Sequence, residues 1–185
     1  MVQFGGVFVQ RASKEQHARV IHTIKLYLIR HAAAEASSQM ADTERRLTEK
    51  GRSRMARTVG GLRKLNIQPE IVLTSPLKRA VETAAIVAAG LGNLRVETLA
   101  ELAPGIELSA LVAALRTHLE LNELALVGHQ PALGQLASFL LAGTPNACDV
   151  ALGKGGVALL SGDIAEPTAR FTLDWLLPPK MLRRL

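Results

Sequence analysis

Apolar positions along this chain fall into two alternating patterns: short unbroken runs, and longer stretches with an apolar residue every three or four positions. The first run, Ile24-Lys25-Leu26-Tyr27-Leu28-Ile29, predicts a strand. A polar stretch follows, and Thr48 can then cap a helix whose inner face carries Met55, Val59 and Leu62, ended by Asn66 and Pro69. Glu70 to Thr74 predicts a second strand. Ser75 and Pro76 read as the N-cap and first residue of a helix with a stripe of Leu77, Ala80, Val81, Ala84 and Ala88, stopped by Gly90 and Gly92. A weaker alternation from Leu94 to Leu99 is followed by a helical stripe of Leu108, Leu111, Val112, Leu115 and Leu119. Leu124 to Val127 is a strand again. Beyond Pro131 a helix carries Leu133, Leu136, Ala137 and Leu140, up to Gly143 and Pro145. Two closing strands are predicted at Val157–Leu160 and Phe171–Trp175.

Strands alternating with helices predict an α/β fold, a three-layer α/β/α sandwich around a mostly parallel central sheet. The closing pair, with no helix between its strands, predicts an antiparallel edge. Residues 1–23 follow neither period and read as a disordered N-terminal extension, and His17 and His22 within it receive no role. The folded domain is expected over residues 24–178, with a frayed basic tail at 179–185.

Composition narrows the class. The chain has 185 residues, 48% apolar and 21% charged, which is ordinary for one globular domain. Aromatics are only 3%, so the core must be built of Leu, Val, Ile and Ala. A single cysteine, Cys148, excludes an internal disulfide and a cysteine metal cluster, suits a reducing cytoplasm, and reads as a small core residue. No run approaches the roughly 18 apolar residues of a membrane span, and no signal peptide is legible. The net charge of +6 raises nucleic-acid binding. Yet the cations are scattered, aromatics for base stacking are few, and Arg52, Arg54, Arg57, Arg63 and Lys64 read as the solvated face of one helix. An acidic substrate explains the charge without nucleic acid.

Chemistry collects at three strand ends. The first strand delivers Arg30-His31, the second Thr74-Ser75 with Arg79 on the following helix, and a later one Gly128-His129. Ligands of open parallel sheets bind beyond the carboxyl ends of the strands, so two histidines and two arginines converge on one crevice. Any one of these alone would pass for a surface or capping residue; three strand ends together do not. A helix N-terminus favours an anion, and Arg79 in its first turn can lean toward that anion. Two guanidinium forks suit a phosphoryl group. An unprotonated imidazole is a nucleophile, while Arg30, Arg79 and a second, cationic histidine could neutralise the equatorial oxygens. Neither a metal nor any other cofactor is needed: two arginines would repel a dication, and His31, Glu35 and His129 make a poor ligand set.

The run from Leu26 through Arg30-His31 to Glu35 resembles the signature of the histidine phosphatase, or phosphoglycerate mutase-like, superfamily, and within it the SixA-type phosphohistidine phosphatases. The likeness continues through Arg46-Leu47-Thr48 with Gly51, Leu73-Thr74-Ser75-Pro76 with Arg79, Ala80 and Thr83, and Leu126-Val127-Gly128-His129, over residues 24–178. It implies a phosphoglycerate mutase-like fold, phosphorylation of His31, and phosphoryl binding by Arg30, Arg79 and His129. Ser75 is read as a cap that also touches phosphate; no G-x-S-x-G elbow surrounds it to make it a nucleophile. Glu101 resembles the proton-donor position of the mutase-like members, with Glu35 as second candidate. Ala32 stands where the family usually has Gly, a cost if the backbone angle there is special.

The expected substrate is phosphohistidine in a phosphorylated protein, or else a small phosphoester. A phosphomutase is the second enzymatic reading, disfavoured by the short chain. An inactive phosphate-binding module is disfavoured by the presence of His31, both arginines and His129. Specificity is expected from the segments 36–46 and 103–108. His118 reads as facing solvent or the end of its helix, and Trp175 as core.

Overall fold

The computed structural model describes residues 23–36, 41–118, 120–163 and 170–185. Residues 1–22, read above as an extension, and Leu119 lie outside that set.

Six strands form one sheet: β1 (Ile24–Arg30), β2 (Ile71–Thr74), β3 (Arg95–Thr98), β4 (Glu123–Gly128), β5 (Val157–Asp163) and β6 (Arg170–Leu177), in the order β3-β2-β4-β1-β5-β6. The first four pair in parallel; β5 is antiparallel to β1 and β6 to β5. The α/β/α sandwich and its antiparallel edge are therefore as the apolar pattern predicted. Helices connect the parallel strands: α1 (Glu49–Lys64), α2 (Lys78–Gly90), α3 (Leu108–Leu115) and α4 (Ala132–Ala142), with a short α5 (Pro179–Leu182) at the end.

Two apolar layers flank the sheet. Leu26, Leu28, Leu73 and Leu126 turn to one face and meet Leu111 and Leu115 of α3 and Leu133 and Leu136 of α4. Tyr27, Ile29, Val72 and Val127 turn to the other and meet Met55, Val59 and Leu62 of α1 and Ala80, Ala84 and Val87 of α2. Because central strands are covered on both faces, they read as unbroken apolar runs rather than alternations. β3 lies at the edge with mostly exposed residues, which explains its weak signal.

Thr48 caps α1 as expected, its hydroxyl accepting from the Gly51 amide at 3.0 Å. Several other expectations need correction. α2 begins at Lys78 with Leu77 as N-cap, not at Ser75 and Pro76: Ser75 still belongs to the sheet end, its amide donating to the Val127 carbonyl, and its hydroxyl reaches only the Leu77 amide, at 3.4 Å, and the His129 ring. Its buried stripe runs through Ala80, Thr83, Ala84, Val87 and Ala88, while Val81 is exposed. Cys148 is exposed rather than core, and Trp175 is half-buried, with its ring 6.3 Å from that of Tyr27.

The tail also departs from expectation. Instead of fraying, Pro179–Leu182 forms a helical turn that buries Leu182 against the α1 layer. Gly61 of α1 makes this possible: a Cβ there would lie 1.9 Å from the Leu182 carbonyl oxygen.

Candidate active site

The strand ends converge as the topology requires. β1 and β4 are parallel neighbours with Arg30 opposite Gly128, so the residues that follow, His31 and His129, emerge side by side. Their ring centroids are 5.0 Å apart. Arg79, in the first turn of α2, donates from Nε to His31 Nε2 at 3.3 Å. Ser75 follows β2, and its Oγ is 2.8 Å from His129 Nε2. His31, Arg79 and His129 are 6%, 5% and 4% exposed.

The hydrogen bonds fix the tautomer of His31. Its Nδ1 lies 2.7 Å from the Ala32 carbonyl oxygen, which can only accept, so Nδ1 carries the proton. Nε2 then holds a lone pair, consistent with its accepting from Arg79 Nε–H. Burial, with Arg79, Arg30 and Lys154 adding positive potential against the Ala32 hydrogen bond, lowers the His31 pKa to about 4. His129 falls to about 3, again from burial first and then from His31 and Arg79. The second histidine is thus neutral in the free site, not cationic as the sequence suggested.

Arg30 donates from Nη1 to the Leu152 carbonyl at 2.7 Å. Two buried side-chain polar atoms have no hydrogen-bond partner among the described residues: Arg30 Nε and His129 Nδ1. Buried polar atoms without partners are costly, and both belong to the pair of strand ends that frames the crevice.

The backbone after His31 is held without strain. Ala32 N–H donates to Thr83 Oγ at 3.1 Å, and Thr83 donates to the Arg79 carbonyl at 2.6 Å. Asn66 and Asn93 are the non-glycine residues with positive φ among those described, so Ala32 carries no backbone cost in place of Gly. Gly51 of α1 fits against this segment: a Cβ there would come within 2.1 Å of the Ala33 carbonyl oxygen.

Sequence reasoning missed Asp42. In the 3-10 turn Asp42–Glu44 it accepts Arg79 Nη2 on Oδ2 at 2.8 Å, while its carbonyl accepts Nη1 at 2.6 Å. Hydrogen bonds from Arg45 and then Arg79 hold its carboxyl below the usual carboxylate range. The partners lie 37 positions apart, so no local pattern could reveal them. Thr83 was quoted for family likeness without its positioning role.

Glu101 sits in the 3-10 turn Ala100–Leu102, just past β3 at the same end of the sheet, where the next amide back, of Leu99, donates to the Thr74 carbonyl. Among the described residues no hydrogen bond or ion pair joins Glu101 to the histidines or Arg79. Glu35 is turned to its own loop, accepting the Arg46 amide at 3.3 Å. No three His, Cys, Asp or Glu side chains converge as metal ligands among the described residues, and no described helix is long and apolar enough to cross a membrane.

The sequence and the fold match a known class. The sequence model of the histidine phosphatase superfamily (branch 1) matches residues 26–104. An uncharacterized protein of Picosynechococcus sp. (strain PCC 7002) is 35% identical over 166 residues, covering 84% of this chain and all of that protein. The chain belongs to the histidine phosphatase superfamily, a phosphatase class. Among solved structures, the protein histidine phosphatase SixA complexed with tungstate superposes with a TM-score of 0.76 at 24% identity, over 86% of this chain and 99% of that one. A mycobacterial glucosyl-3-phosphoglycerate phosphatase gives a TM-score of 0.63 at 21% identity, over 82% and 97%. Both share the fold; one is named for a protein substrate and the other for a small phosphoester.

Proposed function

We propose that this chain removes phosphate from phosphohistidine in proteins, through a covalent phosphoryl group on His31. The observation that carries the reading is the Ala32 carbonyl on His31 Nδ1, which leaves Nε2 as an unprotonated nucleophile between Arg79 and a second imidazole. Arg30 Nε and His129 Nδ1, the orphaned donors, supply hydrogen bonds to equatorial phosphoryl oxygens. With the Ser75 hydroxyl, 2.8 Å away, as the donor to His129 Nε2, the ring proton is held on Nδ1. Arg79 adds its remaining N–H groups.

In the first step the Nε2–P bond forms as the substrate's P–N bond breaks, and the leaving imidazole takes a proton. Glu101 is the residue assigned to give it. In the second step water attacks phosphorus, the Nε2–P bond breaks, and the proton released by water returns to Glu101, giving orthophosphate and neutral His31. Since a phosphohistidine leaving group is readily protonated from solvent, Glu101 matters more for a phosphoester. The higher TM-score to the protein histidine phosphatase SixA, 0.76 against 0.63 for the small-phosphoester enzyme, favours a protein-borne phosphoryl group. The cytoplasm is the expected compartment.

The test is phosphate release from a phosphohistidine-bearing protein and from an aryl phosphate, with EDTA present. Wild type is expected to favour the former and to carry an acid-labile phosphoryl label. His31→Ala is expected to lose both turnover and label, by about 10⁴-fold or more. Turnover retained in His31→Ala sinks the assignment.

A further inference from the structure

Beside His31 lies a second concavity that the mechanism does not use. A cavity of about 220 Å³ is lined by Ala32 and Ala33, immediately after the candidate nucleophile, and by Arg54 of α1, Lys154 of the turn before β5, and Arg183 just past α5. It thus opens where three elements meet, and its polar lining is cationic. Arg57, one turn beyond Arg54, adds a fourth cation, crowding Arg183 together with Arg54. Among the described residues none of Arg54, Arg57, Lys154 and Arg183 forms a salt bridge, whereas Arg52 on the same helix is paired with Glu82 at 2.6 Å. Lys154 is near enough to act electrostatically on His31.

We infer that this cavity is a second anion subsite, binding a phosphate or carboxylate carried by the same substrate whose phosphoryl group is attacked by His31. This rests on the proposed role of His31. Three unpaired cations line one cavity, with Arg57 close by, and none of them has a carboxylate partner among the described residues. An anionic group in the cavity relieves their mutual repulsion and accepts from the guanidinium forks. The other side of the site differs sharply. The cavity that includes His129 mixes Pro104, Ile106 and Leu108 with Glu107, Gln130 and Gln135, and holds no lysine or arginine. A second anion on the substrate is therefore drawn to the cationic flank and not to the flank that carries Glu107, which orients the substrate before reaction. The two sources of such an anion are a second phosphate of a small bisphosphate and the acidic side chains of a phosphoprotein.

The experiment compares the full chain with an Arg54→Gln/Arg183→Gln variant. Both residues lie at least partly in solvent, and thermal melts confirm that the variant folds. Three phosphoryl donors are used: phosphoramidate, a small bisphosphate, and a phosphohistidine protein with acidic flanks. The expected result is about a tenfold loss of kcat/KM, mainly in KM, on one or both of the multiply anionic donors, with phosphoramidate unchanged. Loss confined to the bisphosphate names phosphate as the ligand, and loss confined to the protein names acidic side chains. Unchanged ratios on both overturn the inference. Inorganic phosphate binding by calorimetry separates this from a failure of the proposed function. Two phosphates on wild type and one on the variant support the subsite even if no donor is turned over; identical binding isotherms overturn it.

Discussion

At the amino end of the sheet, Glu123 accepts from Lys25 Nζ and Tyr27 O–H at 2.7 Å each and from the Gln68 amide at 3.3 Å. Beside it, Glu70 accepts the amides of Asn122 and Glu123 at 2.6 and 3.2 Å. At the carboxyl end, two imidazoles face each other 5.0 Å apart, and Arg30 Nε and His129 Nδ1 have no partner among the described residues. Both ends place ionisable groups on neighbouring parallel strands. One end satisfies them internally; the other leaves donors unmatched and holds its bases uncharged by burial. Burial would raise Glu123, yet the Lys25 and Tyr27 hydrogen bonds outweigh it and keep the carboxyl below its usual range. His31 has no such charge partner and is driven to about 4. The difference separates groups that hold the fold from groups that await a ligand.

One pair of substitutions should separate the two ends cleanly. Arg79→Lys keeps a cation but removes the planar fork, and is expected to lower kcat/KM by roughly 10²- to 10³-fold while leaving the thermal midpoint nearly unchanged. Glu123→Ala strips three hydrogen bonds and is expected to cost about 2 kcal/mol of stability with kcat/KM unaltered. Steady-state kinetics and denaturant melts on both variants check the contrast. Equal effects of the two on activity would dissolve it.

Protonation offers the next test. The folded pKa values of His31 and His129, about 4 and about 3, lie below the ordinary 6.5. Between those limits the unfolded chain binds more protons than the folded one. Stability is therefore full above pH 6.5 and is lost as pH falls through this window, by up to about 1.4 kcal/mol per pH unit for each histidine. The depressed carboxylates Glu123, Glu82 and Asp42 add their losses at lower pH. Melts between pH 4.5 and 7 are expected to slope accordingly, and a His31→Gln/His129→Gln variant is expected to flatten the slope. A slope equally steep in that variant would assign it elsewhere.

How much of this was legible in the chain depended on the range of the interaction. Unbroken runs such as Leu124-Ala125-Leu126-Val127 announced strands buried on both faces, and three such runs ended in the residues that meet in the crevice. Spacing located His31, Arg79 and His129 because topology alone brings strand ends together. Ser75 was misread as the cap of α2 because its competing partners, the Val127 carbonyl and the His129 ring, lie more than fifty positions away. Val81, expected on the buried stripe of α2, is exposed, and the stripe includes Thr83 instead. Thr83 is buried because Ala32 N–H and the Arg79 carbonyl satisfy its hydroxyl, a compensation invisible to an apolar count. The tail was misjudged by its charge, since Lys180, Arg183 and Arg184 hid the one residue, Leu182, that packs against Gly61.

The smallest expected effect concerns Asp42, the carboxylate that pairs with Arg79. Asp42 occupies Arg79 Nη2 with its carboxylate and Nη1 with its carbonyl, although its side chain is 53% exposed. It therefore stands where a phosphoryl oxygen would profit from the same fork, and its charge opposes an incoming dianion. The carbonyl contact alone can still orient the guanidinium. Asp42→Asn keeps the shape and removes the charge, so orthophosphate is expected to bind about threefold tighter and kcat to stay within about twofold, given the modest worth of a largely exposed ion pair. Product-inhibition kinetics measure both. Weaker phosphate binding with a fall in kcat would instead make Asp42 the group that positions Arg79, extending to the catalytic end the internal satisfaction seen around Glu123.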